Sequence, residues 1–136
     1  MLKQFLNMEK NKNKIAFPSQ LLKPLVAYLK GEQKKLIVSK KELKKVDPFV
    51  TGERDADNSV DSDVAENVQH DRSFAMRLQV SKSLVAIRKT LTRIKLGKYG
   101  ICANCGKMID TDRLAVTPTA EYCMDCARKM EEKAGE

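Results

Sequence analysis

The four cysteines of the chain form a single pattern, and this pattern limits the fold more than any other feature. Two Cys-x-x-Cys pairs stand 17 residues apart, and the sequence has no other cysteine: Cys102, Cys105, Cys123 and Cys126. A gap of two residues lets both thiolates of a pair face one metal ion, and two pairs complete a tetrahedral shell. The spacing predicts one structural zinc ion, Zn2+, with other metals, a redox pair or disulfides as the alternatives.

The predicted zinc site argues against catalysis at the metal. A closed shell of four thiolates leaves no open position for water or substrate. The single histidine, His70, lies far from the cysteines in the sequence, and it is expected to be a surface residue and not a ligand. Asp110 and Asp112 are interpreted as turn residues. We therefore predict that the protein is not an enzyme, with a zinc-dependent hydrolase or redox enzyme as the alternative.

The composition suits long, solvated helices better than a large globular core. Charged residues make up 32% of the chain and aromatic residues only 5%, with no tryptophan. No segment approaches the roughly 20 apolar residues of a membrane span. The first eight residues also lack the apolar stretch of a signal peptide. Together with cysteines in metal-binding spacing, this predicts a cytoplasmic protein that does not enter a membrane.

Charge is segregated along the chain. Residues 1–46 carry a net charge of +9, residues 47–71 carry −7 and residues 72–136 carry +6, which gives +8 in total. An acidic middle between two basic flanks is unlike the layout of a simple DNA-binding stripe. Residues 1–18 are interpreted as a mobile basic arm, either a solubilising tail or a contact for nucleic acid or phosphate.

A first long helix is predicted from near Ser19 or Pro24 to Val46. Proline is tolerated in a first turn, and the residue before Pro48 is biased away from helical backbone, which ends the helix. Leucines recur every seven residues and form a heptad-like seam: Leu22, Leu29, Leu36 and Leu43.

A second long helix is predicted from near Asp61 or Asp63 to about Leu96. Its apolar residues are spaced 4, 3, 4 and 3, as in a coiled coil: Val80, Leu84, Ile87, Leu91 and Ile94. Each helix must bury its seam, so the two should fold into an antiparallel hairpin over residues 19–96, with an acidic tip around residues 53–66.

Residues 97–136 are expected to form the zinc finger and a short C-terminal helix. Residues 113–116 are predicted as a short strand, and the final helix is predicted from Ala127 to about Lys133. A segment this small has little apolar core, so metal binding should supply most of its folding free energy. The predicted fold is mainly α: a long antiparallel helical hairpin (a coiled coil), a small four-Cys zinc finger and a short C-terminal helix.

The residues around the cysteines resemble the zinc-finger signature of the DksA/TraR family. The resemblance is strongest over residues 97–126. It consists of Tyr-Gly-Ile-Cys-Ala-Asn-Cys-Gly at 99–106, Ile109, Arg113-Leu114, Pro118-Thr119-Ala120 and Cys-Met-Asp-Cys at 123–126. The preceding hairpin with its acidic tip is similar to the architecture of the family, which extends the likeness over most of residues 19–134.

The resemblance implies a transcription regulator that binds RNA polymerase. In the family, the hairpin enters the secondary channel of the polymerase, and aspartates at its tip lie near the catalytic magnesium. Two aspartates separated by two residues are typical there, with an alanine after the second. Here Asp63-Val64-Ala65 matches the second part, but Val60 stands three residues before Asp63. Asp57, Asp61 and Asp63 are therefore the candidate tip residues.

Some family members bind the alarmone ppGpp through basic residues near the finger. Thr117 and Ala127 occupy the corresponding positions here, so the resemblance does not predict ppGpp binding. The alternative to the polymerase-binding hypothesis is a nucleic-acid-binding zinc module that acts through its basic arm and shaft. The sequence shows neither an aromatic stacking platform nor a helix with base-reading side chains, so direct sequence-specific DNA binding is not expected.

Overall fold

The computed structural model describes residues 17–47 and 60–135, with residues 60–63 described by their backbone alone. Four α-helices account for most of these residues: α1 (Ser19–Val46), α2 (Val60–Lys95), α3 (Thr111–Val116) and α4 (Met124–Ala134). An isolated antiparallel bridge joins Ile101 to Met108, and no β-strand occurs in the described ranges. The mainly α fold predicted from the sequence is confirmed.

Helix α1 has the predicted end, at Val46, and the earlier of its two predicted starts. Pro24 lies inside the helix. Its missing N–H would have bonded to the carbonyl of residue 20, in the first turn, so the break in the hydrogen-bond ladder stays close to the helix end. The first turn begins with a bond from Leu21 N to Pro18 O at 3.0 Å.

Helices α1 and α2 form the antiparallel hairpin through their apolar seams. Leu29 of α1 is 2% exposed, and Leu84 and Ile87 of α2 are also buried. Thr90 is buried on the same side of α2, where its hydroxyl donates to Ala86 O at 2.9 Å. The burial of Leu29, Leu84 and Ile87 confirms the heptad positions predicted in the middle of each helix.

The N-terminal part of α2 has a different environment from its middle. Val64, Val68, Phe74 and Leu78 each leave about half of their surface exposed. The buried side of this stretch carries Ser73 instead of a large apolar residue. The apolar seam therefore belongs to the C-terminal half of the helix.

The structure divides into two compact units, which are described separately. One is the hairpin, Lys23–Leu91, and the other combines the described residues 17–22 with residues 92–135. The division into an arm (1–18), a hairpin (19–96) and a finger (97–136) remains a prediction. No helix in the described part of the chain combines the length and hydropathy needed to cross a bilayer.

The strand predicted at residues 113–116 is wrong, because these residues lie in α3. Asp110 caps this short helix: its Oδ1 accepts a hydrogen bond from Asp112 N at 3.1 Å. Capping satisfies one of the N–H groups that a helix start leaves unpaired. The helix buries Leu114. Local capping and one buried leucine therefore decide the conformation, and the β-branched Val116 does not.

Candidate zinc centre

The first Cys-x-x-Cys pair lies in a tight loop between Ile101 and Met108. Within it, Cys102 N donates to Lys107 O at 2.8 Å, and Gly106 N donates to Cys102 O at 3.1 Å. Gly106 has a φ of +73°, in the left-handed region that glycine enters without the steric cost of a Cβ. The sequence Cys-Gly thus allows the chain to turn directly behind the second sulfur of the pair.

The second pair lies at the start of α4. This helix begins at Met124, three residues before the predicted start at Ala127. Cys123 is the N-cap residue, and Cys126 lies in the first turn. Ala127 N donates to Cys123 O at 2.9 Å, which closes this turn. Ala103 N donates to Glu121 O at 2.9 Å and joins the two cysteine loops.

The four sulfur atoms are brought together in a cluster that fits a tetrahedral zinc ion. All four Sγ atoms lie within 4.8 Å of one another, and Cys105 Sγ is 3.8 Å from Cys123 Sγ. Four sulfurs at about 2.3 Å from zinc would be separated by about 3.8 Å. Cys102 and Cys126 are buried, and Cys105 is exposed. The donor set and its spacing therefore suit one structural zinc ion.

Neighbouring groups favour a thiolate at one of the four cysteine positions. Burial opposes ionisation of Cys102, but hydrogen bonds from the backbone N–H groups of Cys105, Cys123 and Asn104 outweigh it and lower the pKa to about 6. The Asn104 amide donates to Cys126 Sγ at 3.4 Å, yet hydrogen bonds shared with Cys123 and burial raise the pKa of Cys126 to about 11. A bound zinc ion would remove this difference, because all coordinated thiols are deprotonated.

Arg93 connects the last turn of α2 to both cysteine loops. Its guanidinium donates to the carbonyl oxygens of Ile101, Lys98 (3.3 Å) and Glu121 (3.5 Å). Ile101 directly precedes the first cysteine, and Glu121 lies two residues before the third. A planar group with five N–H donors can serve several carbonyls at once. We call Arg93 and these three carbonyls the Arg93 clamp.

A small aromatic cluster supports the finger beside the cysteines. The Tyr99 hydroxyl donates to Pro118 O at 3.0 Å, and the Phe17 ring meets Tyr99 edge to face with centroids 5.5 Å apart. Burial raises the pKa of Tyr99, and Arg93 partly opposes this. Gly100 has a φ of +79°, and a Cβ there would overlap the Phe17 ring. This cluster forms most of the finger's apolar core together with the buried Ile109 and Leu114.

Comparisons with known proteins identify the finger. Residues 97–132 match the family model for the prokaryotic DksA/TraR C4-type zinc finger. The chain carries a DksA/TraR C4-type zinc finger. The family resemblance found in the sequence is thereby confirmed, together with the single structural zinc ion.

Curated relatives match over part of their length. The RNA polymerase-binding transcription factor DksA of Escherichia coli (strain K12) is 31% identical over 68 residues, 47% of this chain and 45% of the relative. An uncharacterised protein of Aquifex aeolicus is 40% identical over 53 residues, 39% of this chain and 37% of the relative. The matched regions therefore span less than half the length of these relatives.

A solved structure extends the likeness beyond the finger, to the fold of the chain. The structure of transcription factor DksA2 from Pseudomonas aeruginosa matches with a TM-score of 0.52 and 24% sequence identity. The match covers 81% of this chain and 88% of the DksA2 chain, so it includes helices beyond the finger. This likeness establishes the fold alone.

The predicted tip aspartates, unlike the four cysteines, have no described side chains. Asp57 lies outside the described residues. Asp61 and Asp63 lie in the first turn of α2, in the segment described by its backbone alone. Their assignment as tip residues therefore stays a prediction.

A buried polar cluster at the end of α1 was missed by sequence analysis. Asp47 is 0% exposed, and its two carboxylate oxygens contact Arg77 at 2.5 Å and His70 Nδ1 at 2.8 Å. Gln69 also donates to Val46 O at 3.3 Å. His70 is thus partly buried against α1, 23 residues away, and is not a surface residue alone. The only sequence signal at this position is Asp47-Pro48 at the end of a basic helix. This dipeptide predicts a helix end and does not predict a buried ion pair.

Proposed function

We propose that the protein is a transcription regulator that binds RNA polymerase. The observation that carries the proposal is the C4 finger of residues 97–132, which follows a two-helix hairpin of DksA2-like fold. Curated relatives that share part of this sequence are described as RNA polymerase-binding transcription factors. The chemistry of the finger agrees with a binding role, because four thiolates leave zinc no open position for a reaction.

Within this proposal, Cys102, Cys105, Cys123 and Cys126 hold the zinc ion, and the metal has a purely structural role. It fixes the two cysteine loops, and through the Arg93 clamp these loops are joined to the end of α2. The working surface is then the hairpin, with no reaction catalysed by the protein itself.

The hairpin acts by entering the secondary channel of the polymerase with its acidic tip first. The net charge of −7 over residues 47–71 supports this, since a narrow negative rod is attracted to a pore whose far end holds a metal ion and basic groups. Asp57, Asp61 and Asp63 are the candidate effector residues. They change promoter-complex stability without reading base sequence.

The first experiment is a pull-down of core RNA polymerase with the zinc-loaded protein. We expect binding that is competed by a ligand occupying the secondary channel. Binding that persists unchanged with the channel blocked would contradict the proposed mode of entry, and no binding at all would contradict the function.

The second experiment separates binding from regulation. The double substitution Asp61→Asn and Asp63→Asn should retain polymerase binding but lose the effect on transcription in vitro. Asp110→Asn with Asp125→Asn, which removes two acids from the finger, is the matched control and should regulate as the parent does. Equal activity of the tip variant and the parent would disprove the role of the tip.

A further inference from the structure

One face of α1 carries a row of exposed lysines. They occur at intervals of 7, 4, 7 and 4 residues: Lys23, Lys30, Lys34, Lys41 and Lys45. At 3.6 residues per turn these intervals place all five within a sector of about 60°, and at 1.5 Å per residue the row is about 33 Å long. We call this set the lysine row.

The lysine row faces away from the packed side of the hairpin. Its centre lies about 140° around the helix from the leucine seam that contains Leu29 and Leu36. The two glutamates of the helix are elsewhere, with Glu32 about 170° and Glu42 about 90° from the row. Glu32 pairs with Lys35 at 2.8 Å, which is outside the row. Among the described residues, no lysine of the row makes an ion pair.

We propose that the lysine row binds the phosphate backbone of nucleic acid without reading its sequence. Lysine ammonium groups on flexible stems act as point charges, and phosphate contacts of this kind supply most non-specific nucleic-acid binding. A straight row of five charges with nothing acidic between them suits a long polyanion.

The side chains of α1 suit the phosphate backbone of nucleic acid better than an acidic protein surface. Protein interfaces are enriched in arginine and aromatic residues and depleted in lysine. Helix α1 contains eight lysines and no arginine, and its exposed aromatic residue, Tyr28, lies about 130° around the helix from the row. Bidentate recognition of carboxylates, for which arginine is suited, is therefore missing from this helix.

The test measures binding of the full zinc-loaded chain to duplex DNA at several salt concentrations. Five phosphate contacts predict that log K falls against log salt with a slope of about −4.5. Two duplexes of 30 base pairs, one rich in A·T and one rich in G·C, should bind equally well. The triple variant K30Q/K34Q/K41Q should reduce the magnitude of the slope by about 2.7.

The matched control is K82Q/K98Q/K129Q, which removes the same charge from exposed lysines outside the row. It should keep the slope of the parent chain, and circular dichroism should show equal helix content for both triple variants. An equal loss of slope in the two variants would overturn the proposal, because net charge alone would then explain the binding.

Two other results would also overturn it. One is an unchanged slope in the row variant. The other is a parent chain that does not bind DNA. If the row variant then also loses affinity for core RNA polymerase, the row is assigned to an acidic protein surface. The DNA titration contains no polymerase, so its outcome is independent of the proposed function.

Discussion

The finger and the hairpin hold their chain segments together by different means. In the finger, two loops and a short helix meet around four thiols, and the apolar support is small: chiefly Tyr99, Ile109 and Leu114. In the hairpin, two long helices bury a leucine seam, and a buried carboxylate ties the end of α1 to α2. The finger therefore depends on an added ion for its stability, whereas the hairpin is held together by its own side chains.

Metal removal should separate the two units most strongly. Zinc binding contributes about 10–16 kcal/mol in small zinc-finger peptides, and in such peptides it is also the folding free energy. We expect a chelator or Cys126→Ser to remove amide-exchange protection from α3 and α4 while the seam of α1 and α2 stays protected. Hydrogen exchange read by mass spectrometry measures this. Added zinc should restore the chelated parent but not the variant, and loss of protection along the seam as well would refute independent stability of the hairpin.

The carboxylate of Asp47 should be the most sensitive polar position of the hairpin. Asp47→Ala leaves Arg77 partly buried without its ion pair, and we expect a loss of about 3 kcal/mol in the free energy of unfolding. Urea denaturation measures it. Asp71→Ala, at an exposed site on α2, should change stability by less than about 0.5 kcal/mol. Similar values for the two variants would mean that the buried pair contributes little.

The apolar seam should respond nearly as strongly. Leu29→Ala removes a side chain that is 2% exposed, and we expect a loss of about 2.5 kcal/mol. This is near the low end for such substitutions, because a two-helix seam can partly close around the gap. Leu21→Ala, at a position 62% exposed, is the control and should be nearly neutral in the same denaturation experiment. Equal losses of stability in the Leu29 and Leu21 variants would mean that Leu29 is not part of the hairpin core.

Glycine replacements should give the smallest effects, and opposite signs in the two units. Gly100→Ala forces a side chain into a φ of +79° against the Phe17 ring, so the finger should lose at least about 1–2 kcal/mol. Gly31→Ala lies in α1, where a Cβ meets nothing within 4 Å, and should stabilise the hairpin by about 0.5–1 kcal/mol. Thermal unfolding of the zinc-loaded variants measures both, and a stabilised Gly100 variant would contradict the described contact.

Sequence reasoning succeeded where the physical signal is local or periodic. The cysteine spacing predicted the sulfur cluster, and the heptad leucines predicted α1 and the middle of α2. The conformation of residues 113–116 was missed, because the cap on Asp110 outweighs β propensity there. The burial of Asp47 was missed for another reason: its partners are 23 and 30 residues away, and no period relates them. The tip aspartates match the spacing of the family only in part, so their assignment stays a prediction.

The Arg93 clamp also sets the limits of the finger as a transferable part. The region that matches the family begins at residue 97, yet one of its main supports, Arg93, comes from the helix before it, and Phe17 comes from the start of the described chain. A fragment cut at residue 97 would keep all four thiols but lose the donor that holds Ile101 and Glu121 together. Grafting this finger onto another scaffold would therefore require a helix that ends two residues after an arginine, with an aromatic ring supplied from elsewhere.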